Sequence, residues 1–260
     1  MSDITREDSL LLARIDDLHR MCEQQYSITC SDFLDLRQRS LVESEYRYDE
    51  SLRFYGGFDD AERCIAVFVP DYIEEDIARY FEENEDECPV VLMKVNTARG
   101  NGKLTHRDYL GSMTGLGIRR EKTGDILVRE DGADIFILKD VADFLRYNYD
   151  KAGRTPIKVE IVPAGEAVTV KQEFKVITDT VASLRLDSVL SSAFGISRAK
   201  AQEAVRRGIV FVNSSLCEKP DCQVREGDRF VIRGKGKARL AETGGKSRKD
   251  RIYIKVEKYI

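Results

Sequence analysis

The stretch from residue 185 to residue 240 constrains the fold most, because two helical patterns in it are followed by short apolar runs. Apolar side chains at helical spacing predict a first short helix with one buried face: Leu186, Val189, Leu190, Ala193 and Phe194. Gly195 is suited to ending that helix, and Ser197 to capping a second one. The runs Ile209–Val212 and Arg229–Ile232 predict short strands with turn residues between them.

Cationic side chains recur along both predicted helices and beyond the second predicted strand. Arginine forks and lysine ammonium groups bind phosphate oxygens, and a helix start offers backbone N–H groups to an anion. We therefore expect an RNA-binding set here: Arg185, Ser197, Arg198, Lys200, Arg206, Arg207, Arg233, Lys235, Lys237 and Arg239. The glycine- and lysine-rich segments 234–237 and 243–249 predict flexible basic loops, and residues 251–260 predict an alternating strand.

The order of these residues resembles the S4 RNA-binding domain, named after the small-subunit ribosomal protein. The similarity runs through Arg185-Leu186-Asp187, Ile196-Ser197-Arg198, Val212-Asn213 and Arg233-Gly234-Lys235-Gly236. Ser214 departs from the pattern, since the family usually has glycine after the asparagine. The resemblance implies that the C-terminal part of the chain folds as an S4 domain and binds RNA.

The net charge of −4 conceals an uneven distribution along the chain. Residues 185–260 hold 18 Lys and Arg against 9 Asp and Glu, a net charge of +9, so the other 184 residues carry −13. This division favours a basic RNA-facing module on an acidic body. No apolar run reaches the ~20 residues that cross a bilayer, and the N-terminus is polar and acidic. We expect a cytoplasmic protein without a membrane partner.

Residues 1–86 are expected to form an N-terminal α/β domain. The pattern predicts a helix from about residue 9 to residue 22, a second helix from about Ser31 through Leu41, and a strand over Ile65–Val69. An acidic segment, residues 74–87, predicts a helix followed by a solvated loop. The string Gly56–Arg63, which has the form GGF-x-x-AER, favours a structural turn over a catalytic site.

Residues 87–163 show the element order βαββαβ, which predicts a ferredoxin-like, RRM-like middle domain. The aromatic consensus that RRM domains use for base stacking is missing from its first and third strands. A linker over residues 164–180 and an S4 domain with a C-terminal strand over residues 181–260 complete the expected α+β architecture. Arg119, Arg120 and Lys122 form a basic group that is either a second RNA contact or a solvated loop.

The string Gly115–Ile126, with the form G-L-G-I-R-R-E-x-x-G-D-I, follows the first string Gly56–Arg63 and precedes the S4 pattern. Together the three resemble the bacterial YlmH family over nearly the whole chain. The resemblance implies a non-enzymatic RNA-binding protein that rescues stalled ribosomes in ribosome-associated quality control. It implies binding to the ribosome through large-subunit rRNA and tRNA, contact with a peptidyl-tRNA-bearing large subunit, and quality-control protein factors as further partners.

Two other hypotheses remain open on the sequence. Asp187 lies in a string like the catalytic G-R-L-D of pseudouridine synthases, which would make the S4 domain the targeting arm of an RNA-modifying enzyme. However, Leu184 replaces the glycine, and Asp187 is better explained as a first-turn acid that complements the helix dipole. A protein adaptor using the acidic body is the other hypothesis. The six cysteines form no CxxC pair, so we expect reduced thiols, no metal site and no cofactor.

Overall fold

The computed structural model describes residues 5–59, 61–97, 104–166, 174–247 and 249–259. The chain divides into two compact units, Met1–Val170 and Lys171–Ile260. Within the described residues, no helix combines the length and the apolar character that a membrane crossing requires.

The bounds of the helices and strands are as follows. The α-helices are α1 Arg6–Gln25, α2 Leu36–Glu45, α3 Ile77–Glu83, α4 His106–Gly115, α5 Ala142–Asn148, α6 Leu186–Phe194 and α7 Arg198–Arg206. Short 3-10 helices cover Arg120–Lys122, Lys139–Val141 and Ala164–Glu166. The strands of the first unit are β1 Thr29–Leu34, β2 Leu52–Tyr55, β3 Cys64–Phe68, β4 Val90–Thr97, β5 Thr123–Arg129, β6 Gly132–Leu138, β7 Lys151–Ala152 and β8 Thr155–Pro163. Those of the second unit are β9 Phe174–Val181, β10 Val210–Val212, β11 Ser215–Leu216, β12 Arg229–Ile232, β13 Gly236–Lys246 and β14 Ile252–Tyr259.

The N-terminal part of the first unit is an antiparallel sheet in the order β1-β3-β2, packed by α1 and α2. The expected helix start near Ser31 is wrong, because residues 29–34 form strand β1 and pair with β3. The helix begins after Asp35, whose carboxylate accepts hydrogen bonds from the N–H groups of Arg37 and Gln38, both at 2.9 Å. Asp35 is therefore the N-cap that separates strand from helix.

The middle part confirms the expected βαββαβ order. Its antiparallel strands lie in the order β5-β6-β4-β8, with the short β7 at one edge, which is the ferredoxin-like arrangement. One sheet face, including Met93 and Ile135, packs on α4 and α5 through Tyr109, Met113 and Leu145.

The opposite face of this sheet is covered by the N-terminal part of the chain. Leu92 and Phe136 are fully buried in a core shared with Phe33, Ile65 and Val67. This core joins residues on both sides of the expected boundary at residues 86 and 87, and the division into two domains there stays a prediction. RRM domains stack bases on one face of such a sheet. Here that face is filled by protein.

The two family strings meet in the first unit and join its two parts. Arg63 donates from Nε to the Thr123 carbonyl at 3.0 Å and from Nη2 to the Phe33 carbonyl at 3.1 Å. In return, the Asp125 carboxylate accepts from the N–H of Glu62 at 2.7 Å and of Arg63 at 3.2 Å. These reciprocal hydrogen bonds give both strings a structural role.

A glycine in the first string is required by close packing. Gly57 has a φ of 92°, and a Cβ there would lie 2.3 Å from Cδ1 of Phe136. Any larger residue would collide with the aromatic ring and strain the backbone. The turn expected from the paired glycines is thus also the contact through which this string packs on the middle sheet.

The second unit consists of two helices, α6 and α7, packed on one antiparallel sheet. The strand order of this sheet is β11-β10-β12-β13-β14-β9. Its core contains Leu186, Val189 and Leu190 from α6 and apolar residues of both helices and of the sheet. The expectation of flexible loops over residues 234–237 and 243–249 is wrong where β13 covers them, at residues 236–237 and 243–246. Ala238 and Leu240 alternate towards the core and are fully buried, which outweighs the glycine and lysine content.

Part of the segment expected as a linker, residues 164–180, is also structured. Strand β9 pairs with β14 in unbroken register from Phe174↔Tyr259 to Val181↔Ile252. Residues 174–180 therefore belong to the C-terminal sheet. Their mixed polar and apolar sequence is that of an edge strand with one exposed face.

Candidate nucleic-acid interface

The start of α6 is fixed by a loop from later in the chain. The N–H of Leu186 donates to the Cys222 carbonyl at 2.8 Å, and the N–H of Asp187 donates to the Pro220 carbonyl at 2.9 Å. These bonds satisfy backbone donors that the first turn of a helix leaves unpaired. The helix ends at Gly195, which has a φ of 60°, as expected for a glycine C-cap. Ser197 then caps α7 by accepting from the N–H of Lys200 at 3.3 Å.

Asp187 is a buried carboxylate that binds side chains from both helices. It is 0% exposed. Its Oδ2 accepts from Arg198 Nε at 3.0 Å, from Gln202 Nε2 at 2.7 Å and from Arg185 Nη2 at 3.2 Å. Burial by itself would raise the pKa of Asp187, but the hydrogen bonds from Arg185, Gln202 and Arg198 and the charge of Arg198 hold that pKa well below its usual value.

This network corrects the simple interpretation of Asp187. It does lie in the first turn of α6, but its oxygens are used by side chains, and its main effect is to orient two arginines. Sequence reasoning missed Gln202, the third side-chain donor. The available signal was its position four residues after Arg198, which places both side chains on one face of α7.

The side chains of Arg185 and Arg198 are both partly exposed. Their side chains are 33% and 50% exposed, although both bind the buried Asp187. A guanidinium carries five N–H donors, so one or two bonds to Asp187 leave others for a ligand. The buried acid thus fixes the position of two cations at the surface.

Three further predicted cations lie on α7 or at its end, Lys200 and Arg206 within the helix and Arg207 as its C-cap residue. Lys200, Arg206 and Arg207 are exposed, and Arg206 lies eight residues after Arg198, on the same face as Gln202. We call Arg185, Arg198, Lys200, Arg206 and Arg207 the helix-side cations. These exposed or partly exposed cations are suited to bind phosphate groups.

Lys237 and Arg239 lie on the other side of the C-terminal sheet. They alternate along β13 with Ala238 and Leu240, which are buried beneath the helices. Lys237 places its Nζ 4.8 Å from the centroid of the Tyr259 ring, and Arg239 Nη2 lies 2.8 Å from Glu257 Oε2. Arg233 and Lys235 occupy the exposed turn between β12 and β13. The sheet therefore separates the predicted RNA-binding residues into two groups.

All three cations in the second string make contacts inside the protein, including Arg119, which forms ion pairs with Asp32 at 3.7 Å and Glu121 at 3.3 Å. Arg120 donates to the Gly124 carbonyl at 3.1 Å, and burial followed by the charge of Arg63 lowers its pKa to about 10. Lys122 Nζ lies 2.8 Å from Asp32 and 2.6 Å from Asp140. Both residues thus have intramolecular roles. Arg119, with a 59% exposed side chain, is the member of the group that best fits an RNA contact, and such contact stays a prediction.

The described part of the chain contains no group of three or more His, Cys, Asp or Glu residues placed to hold a metal ion. The six cysteines are free thiols.

Comparisons with known proteins add family information to this geometry. The family model described as "Putative RNA-binding domain in YlmH" matches residues 83–166, and the model of the S4 domain matches residues 184–230. The protein named "Ribosome-associated protein quality control protein P2" of Bacillus subtilis (strain 168) is 31% identical over 263 residues, which cover 99% of each chain. A solved structure, "Cell division protein ylmH from Streptococcus pneumoniae", is 24% identical and covers 65% of this chain and 98% of its own, with a TM-score of 0.48.

Proposed function

The chain belongs to the YlmH family, and on that basis we propose that it is a non-enzymatic RNA-binding protein of ribosome-associated quality control. It binds the large ribosomal subunit that carries a stalled peptidyl-tRNA. The C-terminal unit supplies contacts to rRNA and tRNA backbones, and the protein works in the cytoplasm, where translating ribosomes are found. The Bacillus subtilis relative, which this chain matches over nearly its full length, is named as a ribosome-associated quality control protein, and this name supports the assignment.

The observation that carries the proposal is the network around Asp187. A carboxylate that is buried and bound by Arg185, Arg198 and Gln202 holds two arginines in fixed positions on an otherwise cationic surface. Fixed guanidinium groups lose little side-chain entropy when they bind phosphates. Structured RNA is recognised mainly through shape, phosphates and 2′-hydroxyl groups. The helix-side cations fit that mode.

The same network weighs against an RNA-modifying enzyme. In a pseudouridine-synthase-like reaction, Asp187 would have to reach a uridine. Here its side chain is inaccessible, and its oxygens accept hydrogen bonds from four neighbouring side chains, those of Arg185, Ser188, Arg198 and Gln202. A binding role is therefore the better account of the Arg185-Leu186-Asp187 string.

A ribosome-binding experiment with the full chain tests the proposal. The test variant should reverse the charges of Lys200 and Arg207. Arg198 is left unchanged because Arg198→Glu would place a second carboxylate beside the buried Asp187 and disrupt the fold. We expect Lys200→Glu with Arg207→Glu to lose co-sedimentation with large subunits that carry peptidyl-tRNA. Arg14→Glu is the matched control, since Arg14 is an exposed cation of the first unit. Equal binding of the double variant and the wild type would overturn the proposal.

A further inference from the structure

The sheet of the C-terminal unit has a second face that the helices do not cover. Residues of β9 and β14 pair across it, with Phe174 opposite Tyr259 and Thr180 opposite Tyr253. The alternate positions of β14, Ile254 and Val256, are buried on the helix side. We call the uncovered side, with Phe174, Val176, Lys237, Tyr253, Lys255 and Tyr259, the outer sheet face. Strands β9, β13 and β14 all lie outside residues 184–230, the extent of the S4 match.

Large apolar and aromatic side chains are exposed on this face. Phe174 is 38% exposed, Val176 53% and Tyr253 47%. The rings of Phe174 and Tyr259 are in edge contact, with centroids 4.9 Å apart. Lys237 lies above the Tyr259 ring, with its Nζ 4.8 Å from the ring centroid. Exposed aromatics grouped with cations on one face are the pattern of surfaces that stack nucleic-acid bases.

The charges on the face favour a polyanion. The two acids at these positions are already paired with cations: Glu257 with Arg239 at 2.8 Å, and Glu242 with Lys255 at 2.7 Å. Counted by residue type, these two acids are outnumbered by four cations on the face, Arg229, Lys237, Arg239 and Lys255, of which Arg229 lies opposite Arg239 in the register of β12 and β13. The outer sheet face therefore has more cationic than acidic residues beside its aromatic rings.

We infer that the outer sheet face is a binding site for single-stranded RNA, distinct from the helix-side cations. This inference rests on the proposed RNA-binding function. Unstacked bases pack on the Phe174–Tyr259 pair and on Tyr253, while Lys237 contacts phosphates. Tyr253 and Tyr259 are six residues apart on β14, which corresponds to about 20 Å at ~3.3 Å per residue. A strand of several nucleotides spans that distance.

The two RNA-binding surfaces use different chemistry. The helix-side cations have no aromatic partner in the predicted set and suit the phosphates of a folded RNA. The outer sheet face offers rings, which tolerate any base sequence because every base has a π-face. Because the two surfaces lie on opposite sides of one sheet, one molecule can hold a folded RNA and an unpaired strand at the same time.

Fluorescence anisotropy with a labelled uridine octamer tests the inference on the full chain. We expect Phe174→Ala with Tyr253→Ala to weaken octamer binding roughly tenfold or more, since stacking on each ring contributes strongly to affinity. Lys237→Gln is a second, milder variant that keeps the ring contacts. Tyr72→Ala is the control, because Tyr72 is a 62% exposed tyrosine of the first unit. Circular dichroism checks that each variant is folded.

Three results would overturn the inference: no octamer binding by the wild type, unchanged binding by both outer-face variants, or an equal loss in Tyr72→Ala. A face that docks protein instead of RNA gives the second result. Binding to peptidyl-tRNA-bearing large subunits is measured in parallel. If the wild type does not bind subunits but the octamer loss is specific to the outer-face variants, the proposed ribosomal function fails while this site stands. If subunit binding requires Lys200 and Arg207 but octamer binding is unchanged in the outer-face variants, the proposed ribosomal function stands and this site fails.

Discussion

Arg198 donates its Nε–H to Oδ2 of Asp187 over 3.0 Å, so that a half-exposed cation is bound to a fully buried acid. The arrangement reverses the usual expectation for surface ion pairs, in which both partners are mobile and contribute little. Here the acid is immobile because Gln202 and Arg185 bind it as well. A structural network and the proposed RNA-facing surface thus share the same side chains.

Replacing Asp187 by Asn should destabilise the C-terminal unit. The substitution removes charge-assisted hydrogen bonds to two arginines, and such bonds contribute about 2 kcal/mol. The arginines are partly exposed and can turn to water, which keeps the loss below that of a fully buried ion pair. Urea unfolding of the full chain measures the effect. Glu218→Gln, at an exposed position of the same unit, should change the free energy of unfolding by less than ~0.5 kcal/mol. A neutral Asp187→Asn would contradict the role given to the network.

The stabilisation by Asp187 should depend on pH in a defined direction. Its pKa is lowered in the folded state, so the folded protein resists protonation where the unfolded chain, with a pKa near ~3.9, accepts it. The contribution is therefore complete above about pH 5 and is lost as the pH falls through and below ~4 towards the folded-state pKa. We expect the difference in unfolding free energy between wild type and Asp187→Asn to be constant from pH 7 to about pH 5 and to shrink in more acidic solution. A difference that grew on acidification would show that another group is responsible.

The sequence determined the type of most elements because their signals are local. Leu186, Val189 and Leu190 repeat at helical spacing, and Gly195 and Ser197 mark the end of α6 and the start of α7, as the structure has them. The βαββαβ order of the middle part was likewise accessible, since each run is apolar and bounded by turn residues.

Other features depend on contacts that are distant in sequence. Strand β9 is held by pairing with β14, more than seventy residues later, and nothing in residues 174–181 alone requires it. The division of the cationic residues between two faces depends on the register of β13. This strand could not be predicted locally, because the glycine and lysine content of the segment indicated loops. The contacts of Arg63 with Thr123 and Phe33 join segments that a linear pattern treats separately. In each of these three features, the structure is set by contacts between distant segments and not by local secondary-structure propensity.

The helix-side cations should determine the salt dependence of RNA binding. Each phosphate contact releases condensed counterions, so removing one cation should reduce the slope of log affinity against log salt by about 1. We expect this change for Lys200→Gln and for Arg206→Gln, measured with large subunits over a salt titration. Arg79→Gln is the control, since Arg79 is a 71% exposed cation on α3 of the first unit. Slopes that did not differ among these variants would contradict phosphate contact by α7.

Ser214→Gly should stabilise the protein. Asn213 and Ser214 form the two-residue turn between β10 and β11, and both have positive φ, 50° and 70°. Such turns favour glycine, and asparagine tolerates the conformation far better than serine does. Relief of the strain outweighs the greater freedom of glycine in the unfolded chain, for a net gain of about 0.5 kcal/mol. Thermal unfolding of Ser214→Gly and Ser214→Ala separates the causes, because alanine retains the strain. An equal gain in both variants would mean that the serine side chain, rather than the φ angle, is unfavourable.

Arg63→Ala should weaken the junction between the two parts of the first unit. The substitution removes the hydrogen bonds that Arg63 donates to the carbonyls of Thr123 and Phe33, although Arg120 still donates to Thr123, and it removes a largely buried side chain, at a cost of about 3 kcal/mol. We expect hydrogen exchange to accelerate at the N–H groups of β1 and β5, because the shared core opens more often when its polar rim is lost. Arg119→Ala is the matched control, since Arg119 belongs to the second string but has a 59% exposed side chain. Faster exchange in β1 alone, with β5 unaffected, would indicate that Arg63 stabilises only the N-terminal sheet and does not join it to the middle one.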